Sequence, residues 1–205
     1  FDKELLLITK FKPVTRKKTI SYRYEKQTKP LTLICHDAFG DGSHPTTKTC
    51  IALLKQILNK KNHTIKNMCD IGSGSGILSC LAYHYGLRDI LALDNDQAAI
   101  ARTKKNMHKN NLRFTVKKQD IIHTKIARQF DLVIANMNSA ILEAGWKNII
   151  AAVAPQGILL ISGIGSQWKA DLQQQISQSG FNLKKEKTLS GWWTAVCIHT
   201  GKGVK

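Results

Sequence analysis

A glycine-rich run, Asp70-Ile71-Gly72-Ser73-Gly74-Ser75-Gly76, stands between an apolar segment and a segment with helical periodicity. Glycines allow a tight turn and let the backbone approach a ligand, and a helix that starts here exposes free N–H groups. The spacing is GxGxG, with Ile77 where the dinucleotide fingerprint has its third glycine, and no Gly-Lys-Ser/Thr of a P-loop follows. We predict a loop that contacts a cofactor without gripping phosphate, through Asp70, Gly72, Ser73, Gly74 and Gly76.

Two acidic residues stand at the ends of neighbouring predicted strands. Asp94 ends the next strand, 18 residues after Gly76, and a carboxylate there can accept two hydrogen bonds from a ribose diol. Asp120 follows the third strand, where a carboxylate can accept from an exocyclic adenine amine. Together they describe an adenosine pocket that fits S-adenosylmethionine (AdoMet). The structural alternatives are a simple glycine turn, Asp94 or Asp96 as a helix N-cap, and Asp120 in a solvated turn.

These residues need a sheet whose strands end side by side. Apolar segments and helical segments alternate five times, which predicts a parallel sheet with helices on both faces. The predicted strands of this unit are 67–70, 89–94, 114–116, 130–135, 157–162, 181–189 and 193–199. The predicted helices begin at Pro45 and span 77–85, 97–110, 140–153 and 167–179. Because no helix separates the last two strands, we expect them to form a hairpin at the sheet edge.

Composition indicates a folded, strongly basic protein. Of 205 residues, 42% are apolar, and 31 Lys and Arg against 14 Asp and Glu give a net charge of +17. An anionic partner is therefore expected. The basic residues concentrate before residue 30 and between Arg102 and Lys118, with no acid from Gln97 to Gln119. We interpret residues 1–37 as a basic β-rich lead-in, with strands near 19–24 and 31–35, before a catalytic domain at 38–205.

The cysteines, the histidines and the apolar stretches indicate which kinds of protein this sequence does not resemble, namely disulfide-rich, zinc-binding and membrane-spanning proteins. Five scattered cysteines form no CxxC pair, and the histidines show no zinc spacing, so we expect reduced thiols, no metal site and a cytoplasmic protein. The longest uncharged stretch is divided by Pro155-Gln156-Gly157, which excludes a membrane-spanning helix there.

Four stretches resemble the ribosomal protein methyltransferase PrmA family, whose members modify large-subunit ribosomal protein eleven. They are AFGDGSHPTT at 38–47, the glycine run at 70–78, DLVIAN at 131–136, and ISGI with a following glutamine at 161–167. The first is the most specific, because the glycine run is common to many AdoMet enzymes. The resemblance extends over roughly residues 10–200.

The resemblance implies an α/β fold of the Rossmann-like class I methyltransferase type, with a seven-stranded, mostly parallel sheet and a C-terminal antiparallel hairpin. It implies that the loop at 39–47 helps to enclose AdoMet, with Phe39, Gly40, Asp41 and Thr46 in contact. It also places Asn136 beside the transferred methyl, where its amide oxygen can orient an incoming amine.

Two features depart from the family pattern. Asp41 stands where the family has threonine, and its charge could repel the cofactor carboxylate or attract the sulfonium or a cationic substrate. Only 37 residues precede Ala38, too few for the family's separate N-terminal recognition domain. We expect either that this sequence is a piece of a longer protein or that its substrate differs.

The expected function is AdoMet-dependent methylation of a lysine or N-terminal amine of a ribosomal protein, with a possible ribosome or RNA contact through the basic residues. An RNA methyltransferase is one alternative, although Asn136-Met137-Asn138-Ser139 lacks the prolines and aromatic typical of base methylation. A non-catalytic AdoMet-binding, ribosome-associated module is another. His44 is interpreted as a site residue or a helix-entry residue. Trp192 and Trp193 could line a cleft or pack in the core, and Trp168 is expected to pack.

Overall fold

The structure is a computed structural model that describes residues 17–24, 27–34, 41–59 and 64–201. The strands are β1 (Lys17–Tyr24), β2 (Gln27–Ile34), β3 (Asn67–Ile71), β4 (Asp89–Asp94), β5 (Thr115–Lys118), β6 (Phe130–Asn136), β7 (Val153–Gly165), β8 (Phe181–Leu189) and β9 (Trp192–His199). The helices are α1 (Pro45–Leu58), α2 (Ile77–His84), α3 (Gln97–Lys109), α4 (Ser139–Ala151) and α5 (Lys169–Gln178), with a 3-10 turn at Ser166–Trp168.

Seven strands form one sheet in the order β5-β4-β3-β6-β7-β9-β8. Strands β3 to β7 pair in parallel, whereas β9 pairs antiparallel with both β7 and β8. The predicted parallel sheet and its terminal hairpin are confirmed. The chain builds outward from β3 to β5 and then returns to β6, so strand order reverses between β3 and β6, where such sheets bind ligands.

Most predicted elements agree with the structure within one or two residues, and β7 differs most. It runs from Val153 to Gly165, whereas the sequence predicts a strand only over 157–162. The sequence Pro155-Gln156-Gly157 predicts a turn. In the structure Val153 pairs with Phe130, so β7 begins before this segment. At the other end, a register shift lies between Ser162 and Ile164, which leaves Gly163 as a bulge.

Two apolar clusters cover the two faces of the sheet. One joins α1, α2 and the end of α3, and the other joins α4 and α5. Successive side chains of β6 alternate between them: Leu132 and Ile134 belong to the first cluster, and Val133 and Ala135 belong to the second. A strand buried on both faces must be apolar throughout, which explains why this segment lacks a polar alternation.

The β1–β2 hairpin packs against the first face of the sheet domain. Leu31 and Leu33 of β2 are fully buried in the cluster that contains α1 and α2. Beside them, the Thr32 N–H donates to Asn110 Oδ1 at 2.9 Å, and Asn110 Nδ2 donates to the Thr32 carbonyl at 2.8 Å. The division at residue 37 between a lead-in and a domain stays a prediction, but β2 is part of the described core.

None of the helices within the described ranges has the length and apolar character needed to cross a bilayer. The same residues contain no group of three or more side chains suited to holding a metal ion. Four cysteines in this part of the chain, Cys50, Cys69, Cys80 and Cys197, are buried and free. Burial raises the pKa of the Cys197 thiol to about 12, so it stays protonated and unreactive.

Candidate functional site

The glycine loop after β3 is a compact turn held against the end of β4. The N–H groups of Gly72 and Ser73 both donate to the Leu93 carbonyl, at 2.8 and 2.9 Å, and the Gly76 N–H donates to the Ser73 carbonyl at 2.7 Å. The loop backbone is therefore bonded directly to the neighbouring strand. The predicted strand-loop-helix arrangement is found, with α2 beginning at Ile77.

Helix α3 supports this loop from behind. Thr103 Oγ1 donates to the Gly74 carbonyl at 3.1 Å, and Asn106 Nδ2 donates to the Ser75 carbonyl at 2.8 Å. Gly76, the N-cap of α2, has a φ of 74°, and a Cβ added there would lie 2.8 Å from Thr103 Cγ2. The fully buried Thr103 and Asn106 are site residues that the sequence analysis missed. The sequence pattern that could have identified them is a pair of polar residues three positions apart on the face of a helix that is otherwise buried.

Asp94 joins the glycine loop to the start of α3. Its Oδ2 accepts from the Gly74 N–H at 2.9 Å, and its Oδ1 accepts from the Asp96 N–H at 3.0 Å. Asp96 itself is the N-cap of α3 and accepts from the N–H groups of Ala98 and Ala99. The capping alternative therefore applies to Asp96. Each oxygen of Asp94 keeps a second acceptor position, because a carboxylate has about four lone-pair sites.

Asp120 lies in a turn after β5, one residue beyond a backbone contact with Asp94. The Gln119 N–H donates to the Asp94 carbonyl at 2.9 Å, which brings the two strand ends together. Asp120 Oδ1 accepts from the Ile122 N–H at 2.9 Å, so the side chain also stabilises its own turn. The structure thus brings Asp120 to the same edge as Asp94, and its contact with an adenine stays a prediction.

Asn136 ends β6 at the point where strand order reverses. Its Oδ1 is buried and has no hydrogen-bond partner among the described residues. The next residue, Met137, reaches over the glycine loop, since a Cβ on Gly72 would lie 3.3 Å from Met137 Cε. Leaving a buried acceptor unpaired costs about 1–3 kcal/mol, so such a group in a cleft points to a ligand.

The segment before α1 approaches the same edge. Pro45 opens the helix, and His44 is its N-cap, with Nδ1 2.8 Å from Thr46 Oγ1. The helix-entry interpretation of His44 is confirmed. The Thr46 hydroxyl is thus engaged within the chain, whereas the buried Thr47 hydroxyl has no partner among the described residues. A cofactor contact of Thr46 stays a prediction. Phe39 and Gly40 lie outside the described residues.

Asp41 is held in a local turn. Its Oδ1 accepts from the Ser43 N–H at 2.7 Å and also from the Ser43 hydroxyl. Burial lowers the pKa of His44, and the charge of Asp41 acts in the opposite direction. The carboxylate that replaces the family's threonine therefore has a structural role here, and its effect on a cofactor stays a prediction.

A chain of buried hydroxyls ties α1 to the strands beside Asn136. Thr49 Oγ1 and Ser162 Oγ each lie 2.6 Å from Thr194 Oγ1. Ser162 in turn pairs with Asn136 across β6 and β7. These three hydroxyls connect α1, β9 and β7, so the first turns of α1 are linked to the end of β6 through one hydrogen-bonded unit.

The family model described as ribosomal protein L11 methyltransferase (PrmA) matches residues 7–201. The chain belongs to the PrmA family. The ribosomal protein L11 methyltransferase of Thermotoga neapolitana is 32% identical over 159 residues, which cover 78% of this chain and 58% of that protein. That of Dictyoglomus turgidum is 33% identical over 159 residues, covering 78% and 52%. This PrmA-family chain thus spans about half the length of the curated relatives it matches.

Solved structures confirm the fold class. The ribosomal protein L11 methylase of Lactobacillus delbrueckii subsp. bulgaricus superposes with a TM-score of 0.70 at 22% identity, covering 78% of this chain and 80% of that chain. The N-methyltransferase NodS of Bradyrhizobium japonicum, in complex with S-adenosyl-L-homocysteine, gives a TM-score of 0.58 at 16% identity, covering 77% and 89%. This PrmA-family chain therefore has the Rossmann-like methyltransferase fold.

Asp70 occupies a buried position in this PrmA-family site. It is the penultimate residue of β3, just before the glycine loop, and its Oδ2 accepts from Ser79 Oγ at 2.6 Å. Burial raises its pKa from 3.8 to about 6, and hydrogen bonds from Ser79 oppose that shift. The carboxylate therefore supports the loop from within the protein.

The raised pKa of Asp70 predicts a pH-dependent stability. The folded state holds this proton more tightly than the unfolded state, so the contribution is fully present below pH 3.8 and is lost as pH rises through about 6. The change amounts to about 3 kcal/mol, at about 1.4 kcal/mol per pKa unit. Because part of this change is already complete at pH 4, we expect the free energy of unfolding of wild type to fall by about 2 kcal/mol relative to Asp70→Asn between pH 4 and pH 7. Urea denaturation at a series of pH values measures the difference, and a pH-independent difference would contradict the prediction.

The tryptophans of the PrmA-family chain divide into three environments. Trp193 is fully buried and donates through Nε1 to Glu186 Oε2 at 3.0 Å, as the packing alternative requires. Trp192 is half-buried and meets the His44 ring edge-on, with centroids 5.1 Å apart. Trp168 is 54% exposed, so the expectation that it packs is wrong. The short 3-10 turn that carries it has no buried residue.

Proposed function

We propose that this chain is an AdoMet-dependent methyltransferase that acts in the cytoplasm on an amine of a ribosomal protein. The buried, unpartnered Oδ1 of Asn136, beside the glycine loop where strand order reverses, is the observation that carries the proposal. Relatives named ribosomal protein L11 methyltransferase support a ribosomal protein as the acceptor. A lysine or N-terminal amine is the acceptor group we infer.

The described residues fit AdoMet. Asp94 keeps two free acceptor positions, the number that a ribose diol requires, and its bonds to Gly74 and Asp96 hold the carboxylate in place. AdoMet carries no phosphate, which agrees with a loop that lacks a P-loop lysine. The orphaned Asn136 amide oxygen supplies an acceptor where the transferred group would lie.

AdoMet, when bound, supplies an electrophilic methyl group on a positively charged sulfur. The chain must present a neutral amine in line with that methyl, and Asn136 can do this because its amide oxygen accepts one amine N–H. The lone pair of the nitrogen is then directed away from Asn136. The Asp70 carboxylate is bonded to Ser79 below the loop, so we assign it no proton transfer. The proton of the amine leaves to water.

Asp94 and Asp96 offer a matched test of the ribose contact. Asp94→Asn places an amide group against an N–H donor of the chain and removes the charge that would accept from the ribose. We expect the Kd for AdoMet to rise by about 10–100-fold, as for the loss of a charge-assisted hydrogen bond. Asp96→Asn removes the same charge but keeps an equally good N-cap, so its Kd should stay within about threefold. Isothermal titration calorimetry measures both, and equal losses would show that only net charge matters.

The function is tested by transfer of labelled methyl from AdoMet into an extract of cells that lack this protein. Half of the product is treated with protease and half with RNase. Label that survives RNase but not protease supports a protein acceptor, and purified ribosomal protein L11 from the same organism then tests the specific acceptor. Label that survives protease but not RNase would establish an RNA methyltransferase instead. AdoMet binding without transfer to either would identify a non-catalytic module.

A further inference from the structure

The hairpin that carries part of the first basic stretch is held beside helix α3. Strand β1, whose sequence includes Lys17, Lys18 and Arg23, pairs antiparallel with β2. The paired hydrogen bonds between Thr32 and Asn110 hold β2 beside the C-terminal end of α3. The β1–β2 hairpin is therefore attached, through β2, to the end of α3.

We define the α3–β5 surface by Lys104, Lys105, Lys109, Arg113 and Lys117. All five side chains are exposed. Within the described part of the chain none of them takes part in an ion pair, whereas Arg128 and Lys169 elsewhere each pair with a carboxylate. No acid occurs from Gln97 to Gln119, so positive charge on this surface is not neutralised by its own elements.

The α3–β5 surface is elongated, because it follows a helix and an edge strand. Helix α3 has 13 residues and is about 20 Å long, at about 1.5 Å per residue. Strand β5 is an edge strand of the seven-stranded sheet, so its outer side has no neighbouring strand in that sheet. Its last residue, Lys118, pairs with Asp94, which places one end of this surface at the edge that carries the candidate site.

We propose that the α3–β5 surface binds RNA through the phosphate backbone. An extended run of unpaired positive charge is the electrostatic footprint of a nucleic-acid-binding surface. A protein acceptor rich in positive charge would be repelled here, so the surface suits the RNA rather than that acceptor. The exposed large hydrophobic side chains of the described residues are Trp168, Leu183 and Leu189, and none belongs to this surface. Without aromatic platforms, binding is independent of base sequence.

The proposal does not depend on methyl transfer, and binding to a labelled RNA duplex of mixed sequence tests it directly. The test variant replaces Lys104, Lys105 and Lys109 with glutamine, which has a similar helix propensity. We expect at least about a tenfold rise in Kd at moderate salt. The slope of log K against log salt should become shallower by about 2, at about 0.7–0.9 per lost phosphate contact. Fluorescence anisotropy over a salt series gives both quantities.

A matched control removes three charges from the opposite edge of the sheet. Lys184, Lys185 and Lys187 are exposed on β8, and their replacement with glutamine should change Kd by less than about threefold. Equal weakening by both triple variants would overturn the proposal, because net charge alone would then explain binding. Failure of wild type to bind RNA, or preferential binding of poly-glutamate, would also overturn it. Unchanged AdoMet affinity in the test variant shows that the fold and the cofactor site are intact.

Discussion

Replacing Asn136 with alanine is expected to slow methyl transfer by about 100-fold or more, while the Kd for AdoMet changes by less than about fivefold. The amide oxygen is the one buried acceptor at the end of β6 without a partner among the described residues. Loss of a single preorganised hydrogen-bonding group at a reacting centre typically costs 100-fold or more in rate. Single-turnover transfer of labelled methyl gives the rate, and calorimetry with S-adenosyl-L-homocysteine gives the affinity.

Asn138 provides the control for this change, because it has the same side chain and lies only two residues further along the chain, as the N-cap of α4. Its Oδ1 accepts from the Ile141 N–H at 2.9 Å and caps α4. Asn138→Ala should lower the free energy of unfolding by about 1 kcal/mol and change the transfer rate by less than about fivefold. Equal rate losses in the two variants, or an unchanged rate in Asn136→Ala, would remove Asn136 from the proposed role.

Replacing Gly163 with alanine should have the largest effect on folding. Gly163 has a φ of 90°, and its added Cβ would lie 1.9 Å from the Met137 carbonyl oxygen. Backbone atoms cannot yield as a flexible side chain can, so the loop after Asn136 must move or the β7 bulge must open. We expect a loss of at least about 3 kcal/mol in the free energy of unfolding. Any folded fraction should lose methyl transfer as well, because the displaced segment adjoins Asn136.

Gly86 provides a control for Gly163→Ala, because an alanine there has the same backbone strain but no steric clash. It has a φ of 97°, and a Cβ added there would meet nothing within 4 Å. Gly86→Ala therefore carries only the cost of a left-handed backbone, about 1–2 kcal/mol. Thermal and urea denaturation of both variants compare the two costs. Similar destabilisation would show that contact with Met137 is unimportant.

The sheet was predictable because its central strands are buried on both faces and must be apolar throughout. The glycine loop and the position of Asp94 at the end of β4 were predictable for a similar reason, since few residue types permit so tight a loop between a strand and a helix. These are local constraints, and they leave a direct mark on the sequence. Element ends were less well predicted, as in β7, where pairing between Val153 and Phe130 extends the strand through a turn-like segment.

Contacts between distant segments could not be predicted from the sequence, because no local pattern specifies them. The approach of Met137 to Gly163, the Thr32–Asn110 pair and the support of the glycine loop by Thr103 each join residues far apart in the chain. The exposure of Trp168 was missed because apolarity favours burial on average but does not require it. The turn between Asp41 and Ser43 is local, but an Asp-Gly-Ser sequence is compatible with several loop conformations and does not by itself specify this hydrogen bond.

The buried leucines of β2 define the minimal folding unit of this protein. A chain trimmed to begin at residue 38, where composition changes, would lose Leu31 and Leu33 and uncover apolar surface on the α1–α3 side of the sheet. Full burial of two leucines contributes about 3–6 kcal/mol, against a total stability of about 5–15 kcal/mol for a typical domain. Removal of the β1–β2 hairpin is therefore expected to take away a large share of the free energy that keeps this chain folded.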